Sequence, residues 1–229
     1  MTGSRKYFET VAPKWDALRQ GFFSETVREK AFEAAGAVIG KIASDIGAGS
    51  GFVTEGLLMR GLRVIAVDRS EAMLEEMRRK FGDGAAVDYR IGEAESLPLA
   101  DASVDYAFAN MVLHHVESPP VAIREMARIV KPGGKLIITD LDRHDFEFLR
   151  TEHCDRWMGF DRPDVVLWMS EAGLQDIQID CVGENCCAAS QSGCGEAAVS
   201  IFVACGIRRR RAPVHPGRDG NPHRRRSRR

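Results

Sequence analysis

The sequence predicts an α/β fold carried on a mostly parallel sheet. From Lys41 onward, short apolar runs of strand length alternate with helical stretches, a pattern that implies right-handed strand-helix-strand crossovers. A glycine-rich turn, Gly47-Ala48-Gly49-Ser50-Gly51, follows the first apolar run and precedes the first helical stretch. A chain of 229 residues suits one such domain. Its 44% hydrophobic and 28% charged residues are those of a soluble globular protein.

Taken in order, residues 5–37 carry helical signals. Tyr7-Phe8, Val11, Trp15 and Leu18 lead into Phe22-Phe23, then a charged run passes through Val27, Ala31 and Phe32. These read as two short helices ahead of the main domain, a helical cap over residues 1–38. Strands are expected at Ile42–Ile46, Val64–Val67, Ala86–Ile91, Val104–Ala109, Leu136–Thr139, Ile177–Val182 and Val199–Ala204. Ile123, Met126, Ala127 and Val130 form the cleanest helical stripe, ended by Pro132-Gly133-Gly134. A loop of about fourteen residues, with no helix, separates the last two strands. They are therefore expected to pair antiparallel at one sheet edge. The main domain is set at residues 39–207.

Charge divides the chain. Residues 208–229 hold ten arginines and one acid, Asp219, whereas residues 1–207 hold 22 basic and 32 acidic residues. An acidic body is a poor match for a polyanion, so nucleic acid is disfavoured as a partner. The Pro-, Gly- and Arg-rich tail reads as a disordered extension, with docking to an acidic surface as its alternative. No run approaches the length of a membrane span and Met1–Thr10 lacks a signal-peptide core, so a cytoplasmic location is expected. Six cysteines without an export signal point to free thiols, ligands or catalytic groups.

The glycine turn is the most informative segment. Glycines permit positive φ and let the backbone approach a ligand closely, which implies a nucleotide-like cofactor. Phe52 stands where the dinucleotide fingerprint needs its third glycine, so a dehydrogenase is disfavoured. The second strand ends at Asp68, placing a carboxylate beside the turn where it can accept from ribose hydroxyls or cap the following helix. After the third strand, Glu93 and the amide of Ala94 could read an adenine edge or form an ordinary polar loop.

Together with Val67-Asp68-Arg69-Ser70, Met73-Leu74, Leu97-Pro98 and Ser103-Val104-Asp105, these motifs resemble class I S-adenosylmethionine-dependent methyltransferases. So do Asn110-Met111-Val112-Leu113-His114-His115 and the stretch Glu125–Leu136. The order is kept over residues 40–182, and the likeness is greatest to the quinone-biosynthesis and arsenite methyltransferase branch. It implies a seven-stranded Rossmann-like sheet with its last strand antiparallel, S-adenosylmethionine as cofactor and a small-molecule acceptor. Gly47, Gly49 and Gly51 would pass under the methionine and ribose, and Asp68 would hold the ribose. Arg69 and Met73 would flank the adenine, with Glu93 and Ala94 at its edge. Asp45 would orient the turn or meet the cofactor's amino group, and Asn110 would lie near the methyl. Tyr7-Phe8 and Trp15-Asp16 resemble that branch's cap.

A sulfonium methyl is already activated, so the reaction needs in-line positioning and exclusion of water. A base is needed when the acceptor holds a proton. His114 and His115 follow the fourth strand as base candidates or as capping and packing residues, and Asp140 ends the fifth strand. The acceptor would enter between the N-terminal helices and the loops after strands four to seven, where Glu152-His153-Cys154-Asp155 follows the fifth strand. Cys186, Cys187 and Cys194 fall in the expected loop between the last two strands, at the rim where ligands bind. They are expected to line the acceptor pocket as partly exposed thiols. They could hold a soft metalloid such as arsenite, or be inert. Their spacing matches no standard zinc site, and no metal site is expected. Cys181 and Cys205 are expected in the core. A nucleic-acid methyltransferase docking through the tail and a non-catalytic cofactor-binding regulator stay open as other classes.

Overall fold

The apolar runs become the strands of a single sheet in the computed structural model, which describes residues 3–84, 86–190 and 195–210. These strands are β1 (Ile42–Ile46), β2 (Arg63–Asp68), β3 (Val87–Ile91), β4 (Val104–Asn110), β5 (Val130–Leu141), β6 (Leu174–Ala189) and β7 (Glu196–Arg208). Their order is β3-β2-β1-β4-β5-β7-β6. The pairs from β3 to β5 are parallel, and β7 runs antiparallel to both β5 and β6. The expected seven-stranded sheet with a reversed last strand is therefore present.

Both faces of the sheet are covered, as a parallel sheet with apolar strands on both sides requires. Along β4, Tyr106 and Phe108 join one core with α3 (Thr26–Ala35) and α4 (Phe52–Met59), while Ala107 and Ala109 join another with α6 (Pro119–Ile129) and α8 (Arg162–Glu171). The strand period of two sorts them. Next to β2, α5 (Glu71–Phe81) starts on Ser70, whose Oγ accepts from the Met73 amide, and ends with Arg78, Arg79 and Lys80.

Several boundaries differ from the sequence expectation. The N-terminal region forms three helices: α1 (Gly3–Val11), α2 (Trp15–Phe22) after a 3-10 turn at Ala12–Lys14, and α3. Val27, Ala31, Phe32 and Ala35 bury α3 against the sheet, whereas α1 and α2 reach the strand ends. The helix α6 stops at Ile129, before the Pro-Gly-Gly, because Val130 is already extended and pairs with Val104. Lys131, ahead of proline, is also disfavoured from helix. The strand β6 resumes after an irregularity between Cys181 and Asn185, so the long loop is instead a hairpin with strand to Ala189. Cys186 and Cys187 therefore lie on a strand, and Cys194 falls outside the described residues. The strand β7 includes Arg208, paired with Leu174 and donating to the carbonyls of Arg128 and Val130. The tail thus begins later than residue 208, and residues 211–229 lie outside the described residues. Cys205 is buried as expected, but Cys181 is exposed.

Candidate functional site

The turn after β1 is held from two sides. The amides of Gly47 and Ala48 donate to the Val67 carbonyl at the end of β2, at 2.8 and 3.1 Å. Asp68 accepts from the Gly49 amide through Oδ2 and from the Ser70 amide through Oδ1, each at 2.8 Å. Burial raises the Asp68 carboxyl above its ordinary range, against those two amides. Each oxygen keeps a further lone pair for a ligand hydroxyl. Asp45 accepts from the Thr54 amide and hydroxyl at 3.0 and 2.7 Å, tying β1 to α4. Gly47 has φ +65, and a Cβ there would lie 2.3 Å from Val112 Cγ2. Glycine is required.

Over this turn lies a cleft of about 910 Å³, counting its open mouth. Asp45, Gly47, Gly49, Asp68, Arg69, Met73, Glu93, Ala94 and Asn110 all line it, as does His115. Gly51 does not. At φ +95 it starts α4, and a Cβ there would meet Phe81 at 2.6 Å, so its role is packing. Arg69 faces Glu93 at 3.9 Å, and Asn110 Oδ1 accepts from the Thr139 hydroxyl at 2.7 Å. The cap closes the cleft: Phe8 and Trp15 line it, and Asp16 bonds the Ser50 hydroxyl and pairs with Lys80. Arg19, on α2, also lines the cleft. Its guanidinium sits 4.1 Å from the Phe52 ring centroid, and its buried Nε has no hydrogen-bond partner among the described residues. Burial lowers the Arg19 pKa, opposed by Glu25 and Asp16.

A second cavity of about 500 Å³ adjoins the first, sharing Phe8, Trp15, Phe23, Met111 and His115 as walls. The partition is made by Met111, a non-glycine residue at φ +54, and by the 3-10 turn Leu113–His115. Asp140, fully buried at the end of β5, holds that turn: it accepts from the Leu113 amide at 2.9 Å and lies 2.7 Å from His114 Nδ1. Burial by itself would lower the His114 pKa, but the carboxylates of Asp140 and Asp155 outweigh it and bring the imidazole up to about 9. Burial and the neighbouring His114 hold His115 well below its ordinary value, so its ring is neutral. Tyr7 Oη lies 3.3 Å from His153 Nδ1 across the same cavity.

Cys186 is buried in the second cavity's wall, and burial pushes its thiol up to about 12. Cys187, next along the strand, is exposed. Successive strand residues point to opposite faces, so the structure does not bring these two thiols together. Sequence reasoning misses Arg19 and gives Met111 no role of its own, but it places the segment holding His153 and Asp155 on the acceptor side, and both line the second cavity. Arg19 sits one helical turn from Trp15, a pairing that could have flagged it. Strand order alone places the segment around Asp155 on the acceptor side, because it follows the fifth strand.

The methyltransferase domain family matches residues 44–138. A demethylmenaquinone methyltransferase of Renibacterium salmoninarum is 34% identical over 66% of this chain. The chain spans 64% of that relative's length, less than two thirds. The ubiquinone biosynthesis O-methyltransferase of Hahella chejuensis is 30% identical over 74% of this chain and 79% of its own length. Among solved structures, a chain of the complex between the Haloferax volcanii Trm112 methyltransferase activator and a methyltransferase superposes with a TM-score of 0.73. It has 18% identity and covers 89% of this chain and 98% of its own, and so shares the fold. The chain belongs to the class I S-adenosylmethionine-dependent methyltransferases, in the branch that holds quinone-biosynthesis enzymes.

The first cavity's donor set fits that cofactor. Its floor is bare glycine backbone, Asp68 and Glu93 offer acceptors for hydroxyl and amino groups, and the unpartnered Arg19 Nε offers a cation-borne donor for a carboxylate.

Proposed function

We propose that this chain transfers a methyl group from S-adenosylmethionine to a small aromatic acceptor of the phenol or quinol kind, seated in the second cavity. The observation that carries the proposal is the adjoining of the two cavities at Met111 and His115. A group held over the glycine turn is there separated from the second cavity by a single layer of side chains. When bound, the cofactor supplies an activated sulfonium methyl, and the protein's part is alignment and exclusion of water.

The residues divide this work. Asp68, Glu93 and Arg19 hold the cofactor, while Met111 and Asn110 set the depth at which its methyl end stops. Tyr7, Phe8, Trp15 and Phe22 wall the second cavity with rings, a surface suited to an aromatic acceptor. His115, edge-on to Phe8 with ring centroids 5.0 Å apart, lies where the acceptor's reacting atom would meet the methyl. The relatives named for demethylmenaquinone and ubiquinone support the acceptor class. Among the described residues no helix is long and apolar enough to cross a membrane. We propose a cytoplasmic site of action.

The test is a methyl-transfer screen with the purified protein across phenols, quinol precursors, thiols and RNA, read as S-adenosylhomocysteine formed. Transfer to phenols or quinols is expected. Turnover confined to RNA or thiols would overturn the acceptor class. Tight cofactor binding with no turnover on any acceptor would favour the regulator reading.

A further inference from the structure

The walls common to both cavities are Phe8, Trp15, Phe23, Met111 and His115. Of these, His115 alone has a side chain that can take up a proton. Its two ring nitrogens are told apart by the backbone. Nδ1 lies 3.3 Å from the Cys154 carbonyl, and a carbonyl only accepts, so the ring proton sits on Nδ1. The lone pair is therefore on Nε2, which has no hydrogen-bond partner among the described residues. Cys154, which presents that carbonyl, is held at φ +62, a conformation that costs a non-glycine residue energy and that clusters at functional sites.

We propose that His115 Nε2 is the base that takes the acceptor's hydroxyl proton as the methyl is transferred. The inference rests on the second cavity as the acceptor site, and it narrows the acceptor to one that brings a proton to the partition. In the step, an oxygen lone pair of the acceptor forms the new O–C bond while the S–C bond breaks and returns its electron pair to sulfur. The O–H electron pair stays on oxygen and the proton passes to Nε2. The positive charge that leaves the sulfonium thus reappears on the His115 ring.

The surroundings suit His115 to this task and exclude its neighbour. His114 has Asp140 2.7 Å from Nδ1 and Asp155 3.8 Å from Nε2, and at about 9 it is an imidazolium with no lone pair to offer. Tyr7 and His153 face each other and line the second cavity alone. The groups that face His115 are His114 on its own turn, Arg69 after β2, and His153, Asp155 and the Cys154 carbonyl from residues 153–155. Burial first, and then the cationic His114, keep the ring neutral, so the lone pair is present across the working pH range. Asp155, 4.0 Å from Nδ1, faces the charge when the proton arrives. A ring of such low basicity gives an acceleration at the lower end for general bases, about hundredfold.

The experiment compares the full chain with His115→Asn, whose amide nitrogen can keep the bond to the Cys154 carbonyl but which cannot take a proton. On an un-ionised phenol at neutral pH, kcat should fall by about hundredfold, with S-adenosylhomocysteine affinity by calorimetry changed by a few-fold at most. The variant's rate should then climb by about tenfold per pH unit toward the phenol's own pKa, and on a nitrophenol ionised at the assay pH the loss should shrink to a few-fold. An equal loss on ionised and un-ionised phenols would make His115 a structural residue and overturn the proposal, as would an undiminished rate in the variant. The tautomer is read without turnover, from two-bond ¹⁵N–¹H correlations in histidine-labelled protein holding S-adenosylhomocysteine, with the His115 signals assigned by their loss in the variant. A neutral ring protonated on Nδ1 is expected at pH 7, and protonation on Nε2 would overturn the proposal whatever the acceptor. Failure of the acceptor reading shows separately, as wild-type transfer to thiols or RNA with none to phenols or quinols, and a thiol acceptor would be put to the same contrast of ionised and un-ionised forms. No turnover on any acceptor would overturn both.

Discussion

The cofactor cavity and the proposed acceptor cavity share a wall yet are made in opposite ways. The first is made largely of backbone and strand ends: the turn residues 47–49, Asp68 closing β2, Glu93 after β3 and Asn110 closing β4 all lie at one rim of neighbouring parallel strands. The second is made of side chains from distant segments, among them Tyr7 on α1, His114 and His115 after β4, Asp155 after α7 (Glu147–Glu152) and Cys186 on β6. A sheet whose strands end together fixes the first cavity once its topology is set. The second depends on how the cap, the segment after α7 and the β6-β7 hairpin pack over that rim. Cofactor chemistry is therefore general to the fold, and acceptor chemistry is particular to this chain.

Asp68→Ala should break the first cavity hardest. The carboxylate supports the turn through the Gly49 amide and has lone pairs left for the cofactor's hydroxyls. Two charge-assisted bonds of about 1.5 to 3 kcal/mol each, discounted for water entering, correspond to roughly ten- to several hundred-fold weaker cofactor binding. Calorimetric titration with S-adenosylhomocysteine reads this directly. Equal affinity in the variant would remove Asp68 from the site and with it the contrast between a backbone-built and a side-chain-built cavity.

That contrast also explains what could be read from the sequence. The glycine turn, Asp68 and Glu93 were legible because each follows a strand, and strand order alone carries them to a shared rim. The second cavity was legible only in part. Its cap aromatics and His115 stand out locally, but Tyr7 and His153 meet across 146 residues of chain, and no spacing rule encodes such a meeting. The cysteines were misplaced for a specific reason. Gly183, at φ +84, interrupts the apolar run that ends at Val182, and the strand resumes beyond the irregularity with Cys186 inward and Cys187 outward.

A smaller effect, again on the cofactor side, comes from Asp45. Burial raises its carboxyl to about 7, opposed by the hydrogen bonds from Thr54. The sign follows from proton counting: between the ordinary value of 3.8 and about 7 the folded chain keeps a proton that the unfolded chain has released. Stability without cofactor should therefore fall as pH rises through that window and level off above it. A bound cation favours the ionised carboxylate, so S-adenosylmethionine affinity should rise by several-fold from about pH 6 to about pH 8. Asp45→Asn should flatten both profiles. Parallel profiles in wild type and variant would place the titrating group elsewhere.

The smallest effects separate the faces of β6. Cys181 is exposed, and its thiol is lowered chiefly by the Ser200 hydroxyl, with the Gly183 amide assisting. It should be alkylated fastest, because the thiolate is the reacting form. Cys187 is also exposed and should follow, whereas Cys186, buried in the second cavity's wall, should react last. Peptide mass mapping after timed iodoacetamide treatment gives the order. Cys187→Ser should leave transfer unchanged, since the side chain faces away from the cavity. Cys186→Ser puts a hydroxyl in a wall shared with Leu141 and Ala188, and should lower acceptor affinity by a few-fold without touching cofactor affinity, through the cost of an unpartnered polar group. If Cys186 instead reacted as fast as Cys187 and were protected by an acceptor, the wall would open in solution. The second cavity would then be shaped by motion of the hairpin as well as by its packing.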